Sequence, residues 1–441
     1  MNANGKQEFD TLVIGAGMAG ATVATELSLS RKTILLIDSG LVNSAPFPTH
    51  FSTDPRLRFG NSLLDRLLSA HLLPVPSASE ETAGKRPALH VPLSRGGASV
   101  LWTGVLCRLD LFDSEGDAFA RAALDPFYDQ AANWLGALEG DAPNGDITPV
   151  AMARPHGPNG PVAGPIDIFS RAAEMPEIRP YRARRLIHSG GQVTSVETVD
   201  VSTGAIRQLR ASEIVIAADP LRSAALLHAS GLCAEKGFPV GRYLADHPLA
   251  AARLSELSPK GRRLYDAMTE GGLKMGAACL PTAPDGAHAL ILAPPFAQGA
   301  ATLALFWYMS AEPRAANGLR FDTTDDDVTG LWGARIDMPE AVASEEELST
   351  MLTHLKETCD RLGTARGMGV PRLLPLGAAS HAFGTLRSGA EGQSVTDLSG
   401  RVRGMRNLWV AGTARFPSRN ARNPMLAAVA TAIGTARAIA G

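Results

Sequence analysis

The sequence predicts an α/β protein in which a doubly wound parallel-sheet domain is joined to a second, sheet-based domain of the α+β kind. A strand, a glycine turn and a helix open the chain, and the same style of sequence returns near its end after a strand-rich interruption. Strand–helix–strand units of this kind build parallel sheets. We therefore expect both ends of the chain to belong to one domain.

The opening unit has well-marked boundaries. Residues Asp10 to Ile14 form a short apolar run that ends at Gly15, and Ala19 to Leu29 are typical of a helix of small residues. A second apolar run, Thr33 to Ile37, ends at Asp38. These runs and the turn signals between them predict strand, helix and strand in that order.

The rest of the first domain combines a long excursion with further strands. Residues 41–93 carry Pro, Ser and scattered apolar residues without a sustained period, which predicts a lid-like excursion. Strands follow at Val193 to Val201 and Glu213 to Ala217, with a hairpin-like turn, Ser202 to Ala205, between them. A helix over Leu221 to Ser230 ends at a glycine.

The strand-rich interruption predicts the second domain. Apolar strands at His288 to Leu292 and Thr302 to Tyr308 precede an amphipathic helix over Ser344 to Leu362. The strand Asn407 to Val410 and a closing helix from about Pro424 to Ala440 return to the style of the first domain. The predicted division is 1–249, 250–374 and 375–441, with the last segment belonging to the first domain.

Composition excludes several classes of function. Lys and Arg number 42 against 44 for Asp and Glu, with no basic block, so no nucleic-acid partner is expected. The four cysteines are far apart and form no C-x-x-C pair, which predicts neither a metal site nor a disulfide framework. No apolar run approaches the roughly 18 to 20 residues that span a bilayer. We therefore expect a cytoplasmic protein with no membrane partner.

The glycines after the first strand predict a dinucleotide site. Gly15, Gly17 and Gly20 form G-x-G-x-x-G between a strand and a helix. The first allows a sharp turn, the second lets backbone approach a pyrophosphate at the helix N-terminus, and the third lets helix and strand pack closely. Asp38, which ends the second strand, is placed to bind an adenosine ribose. The motif leaves NAD and FAD open, as well as a glycine-rich turn in an unrelated α/β protein.

A second glycine-rich segment runs from Arg95 to Gly104 with the sequence RGGASVLWTG. It resembles the flavin-contacting segment of the glucose-methanol-choline (GMC) oxidoreductase family, most closely its pyranose-oxidase branch, and so implies FAD in a Rossmann-like domain. Some members of that branch bond the flavin to a histidine just before the tryptophan. This chain has Leu101 there, so non-covalent FAD is expected. The FAD contacts that the resemblance implies in this segment are Gly96, Gly97, Ser99, Trp102 and Thr103.

Further segments resemble the family in the family's order. They are Arg184 to Gly231, Gly241 to Pro248, His381 to Gly389, and Asn407 to Gly412 continuing through Asn423 and Pro424. The last of them implies two more FAD contacts, Gly412 and Pro424. The predicted substrate domain shows no comparable match, and Ala218-Asp219-Pro220 replaces a turn that usually contains glycine.

Alcohol oxidation is the activity that the resemblance implies. The flavin accepts a hydride from carbon, and the protein supplies a base for the hydroxyl proton. Histidine, with an ordinary pKa of about 6.5, suits that role near neutral pH. The family match assigns the base to His381 and the second active-site position to Asn423, whose amide can hold the substrate oxygen. His247 also lies in a family-like segment, and we interpret it as structural.

Asn423 has a second interpretation. An asparagine followed by Pro424 at the start of an alanine-rich helix is also an ordinary N-cap with proline in the first helical position. The two roles can coexist, and the helix N-terminus can favour negative charge on a reduced flavin.

The expected substrate is a sugar, a cyclitol or another polyol-like alcohol, and the expected electron acceptor is oxygen or another oxidant. Trp307, Tyr308 and Asn317 are candidate pocket residues, although aromatic residues on a strand more often belong to a core. Two alternatives stay open. One is a flavoprotein of the same fold that uses NAD(P)H for different redox chemistry, and the other is a dinucleotide-fold protein that binds without catalysis.

Overall fold

The structure is a computed structural model, and its description covers residues 9–40, 50, 72–78, 87–109, 121–138, 148–157, 160–232, 237–269, 276–280, 287–293, 301–322 and 327–441. Most of the predicted lid-like excursion over 41–93 therefore lies outside the described residues.

Strands and α-helices are numbered in chain order along the described residues. The strands are β1 (Phe9–Ile14), β2 (Ile34–Ile37), β3 (Leu72–Pro74), β4 (His90–Pro92), β5 (Ala137–Leu138), β6 (Thr148–Pro149), β7 (Met152–Ala153), β8 (Glu177–Arg179), β9 (Tyr181–Ser189), β10 (Gln192–Asp200), β11 (Ile206–Leu209), β12 (Ala211–Ile216), β13 (Leu249–Leu257), β14 (Gly276–Cys279), β15 (Ala287–Ala293), β16 (Leu303–Met309), β17 (Gly318–Phe321), β18 (Ala334–Asp337), β19 (Gly363–Ala365), β20 (Arg372–Leu373) and β21 (Leu408–Val410). The helices are α1 (Met18–Leu29), α2 (Tyr128–Trp134), α3 (Pro165–Phe169), α4 (Pro220–Ala229), α5 (Pro259–Thr269), α6 (Glu345–Leu362) and α7 (Met425–Ala440).

A parallel sheet joins the two ends of the chain. Its strands lie in the order β21-β12-β1-β2-β8, and every neighbouring pair is parallel. All four residues of β2 are buried, as expected for a strand covered on both faces. The helices α1 and α7, from opposite ends of the sequence, pack against each other. The predicted doubly wound α/β fold is confirmed.

The hairpin after β10 differs in one detail from the prediction. The strand that pairs with β10 after the turn is β11, and the next strand, β12, leaves the hairpin and pairs with β1 in the parallel sheet. The predicted strand from Glu213 therefore belongs to the parallel sheet. The difference has a physical reason, because β11 carries Arg207 and Gln208 at an exposed edge, whereas β12 ends in apolar residues that are buried.

A mainly antiparallel sheet forms the core of the second region of the chain. Its strands lie in the order β19-β13-β16-β15-β14-β6, with β20 also paired to β13. Because side chains alternate along a strand, Trp307 of β16 faces a core shared with α5 and α6, while Tyr308 faces the opposite cluster. Helix α6 begins at a capping box in which Ser344 and Glu347 satisfy each other's backbone N–H groups. The predicted sheet-based second region is thus present.

In the part of the chain that the structure describes, no helix is both long and apolar enough to cross a membrane.

Candidate active site

The glycine turn lies where β1 passes into α1. Gly15 has a φ of +108°, and a Cβ there would lie 2.7 Å from the carbonyl oxygen of Ala217. At Gly20 a Cβ would lie 1.9 Å from the carbonyl oxygen of Gly15. Because both positions exclude a side chain, the backbone of the turn can close tightly against the start of α1. This geometry matches the roles that the motif predicts for its first and third glycines.

Asp38 lies directly beside this turn. Its carboxylate accepts hydrogen bonds from the backbone N–H of Ala16 at 2.7 Å and from that of Gly40 at 2.9 Å. The side chain is buried. Burial raises the pKa of Asp38, and the backbone N–H groups partly oppose that change because they stabilise the carboxylate. The carboxylate thus fixes the turn from the end of the second strand.

The second glycine-rich segment packs onto the first. The Ser99 hydroxyl accepts a hydrogen bond from the backbone N–H of Met18 at 3.0 Å and donates one to the carbonyl oxygen of Gly96 at 2.5 Å. A Cβ on Gly17 would lie 3.2 Å from that same Gly96 carbonyl oxygen. Gly96 has a φ of +86° and Gly97 one of +61°. Two motifs far apart in sequence therefore meet at the N-terminus of α1.

The remaining predicted cofactor residues lie around these two segments. Gly412 follows β21, and a Cβ there would lie 3.3 Å from Cβ of Ala19 in the first turn of α1. The Trp102 indole N–H donates to the carbonyl oxygen of Ala163 at 2.7 Å and so anchors its loop. Thr103 is half-buried next to it. Pro424 lies further along the chain, immediately before α7.

The departure from the family at Ala218-Asp219-Pro220 has a local explanation. Asp219 is the N-cap of α4, and its side chain accepts hydrogen bonds from the backbone N–H groups of Leu221 and Arg222, both at 3.1 Å. A carboxylate at this position satisfies two N–H groups that the helix leaves free.

His381 and Asn423 are in contact. The amide nitrogen of Asn423 lies 3.4 Å from Nε2 of His381. Asn423 is buried, and its carbonyl oxygen is buried without a hydrogen-bond partner in the described structure. A buried acceptor without a donor is costly unless a ligand supplies the donor. The pair therefore fits a site that binds a hydroxyl-bearing molecule.

The interpretation of Asn423 as an N-cap is wrong. Helix α7 begins at Met425, Pro424 occupies the N-cap position, and no side chain caps the helix. The Asn423 side chain is directed at His381 instead.

The segment that carries His381 is joined to the glycine turn. The Thr413 hydroxyl donates to the carbonyl oxygen of Ala382 at 3.0 Å, and the backbone N–H of Gly384 donates to the carbonyl oxygen of Thr413 at 3.3 Å. Thr413 directly follows Gly412, where an added Cβ would lie 3.3 Å from Cβ of Ala19 in the first turn of α1. The histidine–asparagine pair and the glycine turn are thus parts of one continuous arrangement.

Asp246 and His247 hold this arrangement from a neighbouring segment. One carboxylate oxygen of Asp246, Oδ1, accepts from the backbone N–H groups of both His247 and His381, each at 2.9 Å. The Nδ1 atoms of the two imidazoles lie 3.3 Å apart, and Nε2 of His247 lies 3.1 Å from Oδ1 of Asn420. His247 therefore contacts the predicted base directly, which its interpretation as a structural residue did not include.

Among the three candidate pocket residues, Tyr308 is the one that contacts His381. Its ring stacks on that of His381, with 5.3 Å between centroids. Trp307 points to the other face of the sheet, beside His354 of α6. Asn317 hydrogen-bonds through its amide to the backbone of Glu340. Alternation along β16 separates Tyr308 from Trp307, and sequence alone did not indicate which of them faces the site.

Burial governs the ionisation of His381, His247 and Asp246. Burial lowers the pKa of His381 well below its usual 6.5, and positive charge on His247 or His288 would lower it further. Burial also lowers the pKa of His247 to about 3 and raises that of Asp246 to about 7. Both imidazoles are therefore neutral at pH 7.

Comparison with known proteins finds matches to family models and to individual relatives. Two models of the GMC oxidoreductase family match this chain, one over residues 177–249 and one over residues 320–432. A C-glycoside 3-oxidase of Microbacterium trichothecenolyticum is 31% identical over 277 residues, which are 58% of this chain and 52% of that protein. A pyranose 2-oxidase of Tricholoma matsutake is 33% identical over 90 residues, which are 20% of this chain and 16% of that protein. The chain spans about half the length of the C-glycoside 3-oxidase that it matches.

A solved structure shares the fold over its whole length. The crystal structure of pyridoxine 4-oxidase from Mesorbium loti superposes with a TM-score of 0.64 at 20% identity, covering 98% of this chain and 99% of that one. Fold and site thus define a dinucleotide-fold protein with a buried histidine–asparagine pair joined to its glycine turn. Two segments of the chain, residues 177–249 and 320–432, match the GMC oxidoreductase family.

Proposed function

We propose that this chain binds FAD non-covalently and oxidises an alcohol to a carbonyl compound, with His381 accepting the hydroxyl proton. The observation that carries the proposal is the contact between His381 and Asn423, in which the partnerless carbonyl oxygen of Asn423 is buried. Leu101, at the position where some family members carry a flavin-linked histidine, has no group that could bond a flavin.

The residues present fit a dinucleotide. Gly15 and Gly20 exclude side chains from the turn, and Gly17 brings the turn within reach of the Gly96 carbonyl. The helix N-terminus and its backbone N–H groups favour phosphate oxygens, and Asp38 lies where an adenosine ribose is held in such folds. When bound, FAD supplies the acceptor for the hydride that leaves carbon.

The protein's own groups handle the proton and the substrate oxygen. Neutral His381 presents Nε2 next to the Asn423 amide. A substrate hydroxyl lying beside the pair can replace the amide as the donor to Nε2 and accept from the amide N–H. The resulting imidazolium is disfavoured by burial. Negative charge on reduced FAD would offset that cost.

The substrate class is a sugar, a cyclitol or a related polyol. It is supported by the relatives, whose names describe oxidation of a C-glycoside at position 3 and of a pyranose at position 2. The same names support oxygen as the electron acceptor. A substrate with several hydroxyl groups also provides a further donor for the buried Asn423 carbonyl oxygen.

Anaerobic spectroscopy tests the proposal. The purified protein is expected to show flavin absorption that an alcohol from a panel of sugars, cyclitols and polyols bleaches, and admission of air is expected to restore it. A colourless protein that does not take up FAD would support a binding protein without catalysis. Bleaching by NAD(P)H, with none by any alcohol, would support the alternative of a flavoprotein that uses NAD(P)H for different redox chemistry.

The rate of flavin reduction should keep its full value well into the acidic range. Because burial lowers the pKa of His381 below 6.5, the base loses its free Nε2 only when the pH falls below that lowered pKa. We expect the rate constant for anaerobic reduction to stay flat as the pH falls through 6.5 and to decline only when the pH falls below the lowered pKa of His381. An acid limb centred above pH 7 would contradict the neutral base.

Replacement of Asn423 tests the amide without removing a helix cap. Since Asn423 does not cap α7, Asn423→Ala is expected to leave the melting temperature nearly unchanged. Loss of its N–H group should slow flavin reduction about tenfold, the effect of one hydrogen bond in a buried site. Stopped-flow reduction and thermal unfolding of the same variant measure both quantities. A strongly lowered melting temperature with normal reduction would assign Asn423 a structural role instead.

A further inference from the structure

Four side chains, among them the proposed base, form a hydrogen-bonded series with three contacts. Oδ1 of Asn420 lies 3.1 Å from Nε2 of His247, Nδ1 of His247 lies 3.3 Å from Nδ1 of His381, and Nε2 of His381 lies 3.4 Å from the Asn423 amide nitrogen. Asn420 and His247 are almost completely buried, so water does not replace these contacts.

The donors and acceptors in this series have one consistent direction. A carbonyl oxygen only accepts, so Nε2 of His247 carries a proton and donates a hydrogen bond to Oδ1 of Asn420. Since His247 is neutral, with burial lowering its pKa to about 3, its Nδ1 has no proton and accepts. Nδ1 of His381 must then donate, which leaves Nε2 of His381 with a free lone pair.

The far end of the series requires the same direction. The Asn423 amide nitrogen can only donate, and it lies next to Nε2 of His381, which must therefore accept. The opposite direction would need both amide groups reversed, with Asn420 donating at one end and Asn423 accepting at the other. The two ends thus agree independently that Nε2 is the ring nitrogen of His381 that carries no proton.

We propose that His247 is a positioning residue for the base: together with Asn420 it holds His381 in the tautomer protonated on Nδ1, so that Nε2 is free to take the hydroxyl proton. The inference rests on the proposed function for its catalytic meaning. The tautomer itself is a property of the protein that can be measured without turnover.

Asp246 supports the same geometry through the backbone. Its Oδ1 receives the N–H groups of both His247 and His381. Ala245 and Phe383 exchange backbone hydrogen bonds at 3.2 and 3.0 Å next to them. The two imidazoles are thus fixed at their backbones as well as at their rings. After proton transfer, the Nδ1–H of the His381 cation still has a neutral acceptor in His247, and hydrogen bonds from a charged donor are stronger than neutral ones.

Two substitutions at position 247 separate the tautomer role from a packing role. His247→Asn places an amide oxygen where Nδ1 of His247 lies and so retains an acceptor for His381. His247→Leu has a similar size and removes that acceptor. In the leucine variant a buried Nδ1–H would lack a partner, which favours the other tautomer.

The test uses the flavin-bound protein with ¹⁵N-labelled histidine. Long-range ¹H–¹⁵N correlations distinguish a ring protonated on Nδ1 from one protonated on Nε2, and the signal that disappears in His381→Ala identifies His381. We expect Nδ1–H in the parent protein and in His247→Asn, and Nε2–H in His247→Leu. Flavin reduction should be about tenfold slower or more in His247→Leu and within about threefold of the parent in His247→Asn, since the wrong tautomer disables a histidine base.

Two results would overturn the inference: His381 protonated on Nε2 in the parent protein, or an unchanged Nδ1–H tautomer in His247→Leu. If His247→Leu does not fold, the parent spectrum alone decides. If no alcohol reduces the flavin of any variant, the proposed function fails while the spectra still decide whether His247 sets the tautomer.

Discussion

His381→Ala should retain FAD and reduce its flavin at least 100-fold more slowly than the parent protein. A general base contributes about 10²- to 10⁴-fold to such a step. The side chain contacts Asn423, His247 and Tyr308 but forms no hydrogen bond with the glycine turn, so its removal leaves the dinucleotide site in place. The rate constant is measured by anaerobic stopped-flow spectroscopy with the alcohol that bleaches the parent protein.

A second histidine provides the control for this substitution. The His156 side chain is exposed, with Nε2 lying 2.7 Å from Oδ1 of Asp167, and neither residue takes part in the hydrogen bonds that hold His381. His156→Ala should therefore reduce its flavin at the parental rate. Near-normal reduction in His381→Ala itself would remove His381 from the mechanism.

Gly20→Ala should abolish FAD binding. The added Cβ would lie 1.9 Å from the carbonyl oxygen of Gly15, a distance that no side-chain movement can relieve because the clashing atom belongs to the backbone. The turn and the start of α1 must then separate, which displaces the N–H groups expected to face the pyrophosphate. Overpacking of this kind also costs about 1–3 kcal/mol of stability. Flavin absorption per protein and urea unfolding measure the two effects.

Gly389→Ala is the matched control. Its Cβ would lie 3.4 Å from Cβ of Ser394, an ordinary contact, and the glycine does not have a positive φ. This variant should bind FAD normally and unfold at nearly the parental urea concentration. A Gly20→Ala protein with full flavin content would show that the close contact at the turn is not needed for binding.

The sequence predicted the parallel-sheet region well because local signals coincide there. The predicted helix over Ala19 to Leu29 is observed as α1, starting at Met18, and the second strand is observed with its end next to Asp38. A glycine turn, an apolar run and an acidic residue each indicate the same element boundaries. Side-chain exclusion at Gly15 and Gly20 then follows from the turn itself.

The contacts behind His381 could not be predicted because they depend on tertiary pairing. His247 and Asn420 are separated by 173 positions, and no local pattern indicates that their side chains meet. Tyr308 could not be distinguished from Trp307 before the face of β16 was known. For Asn423, the Asn-Pro sequence favoured a helix cap, but the tertiary contact with His381 prevailed over that local preference.

A crystal structure of the FAD-bound protein tests the central claim most directly. The proposal predicts the pyrophosphate at the turn formed by Gly15, Gly17 and Gly20, with Nε2 of His381 and the Asn423 amide facing the isoalloxazine ring across a space the size of an alcohol. An isoalloxazine bound far from both side chains would contradict it.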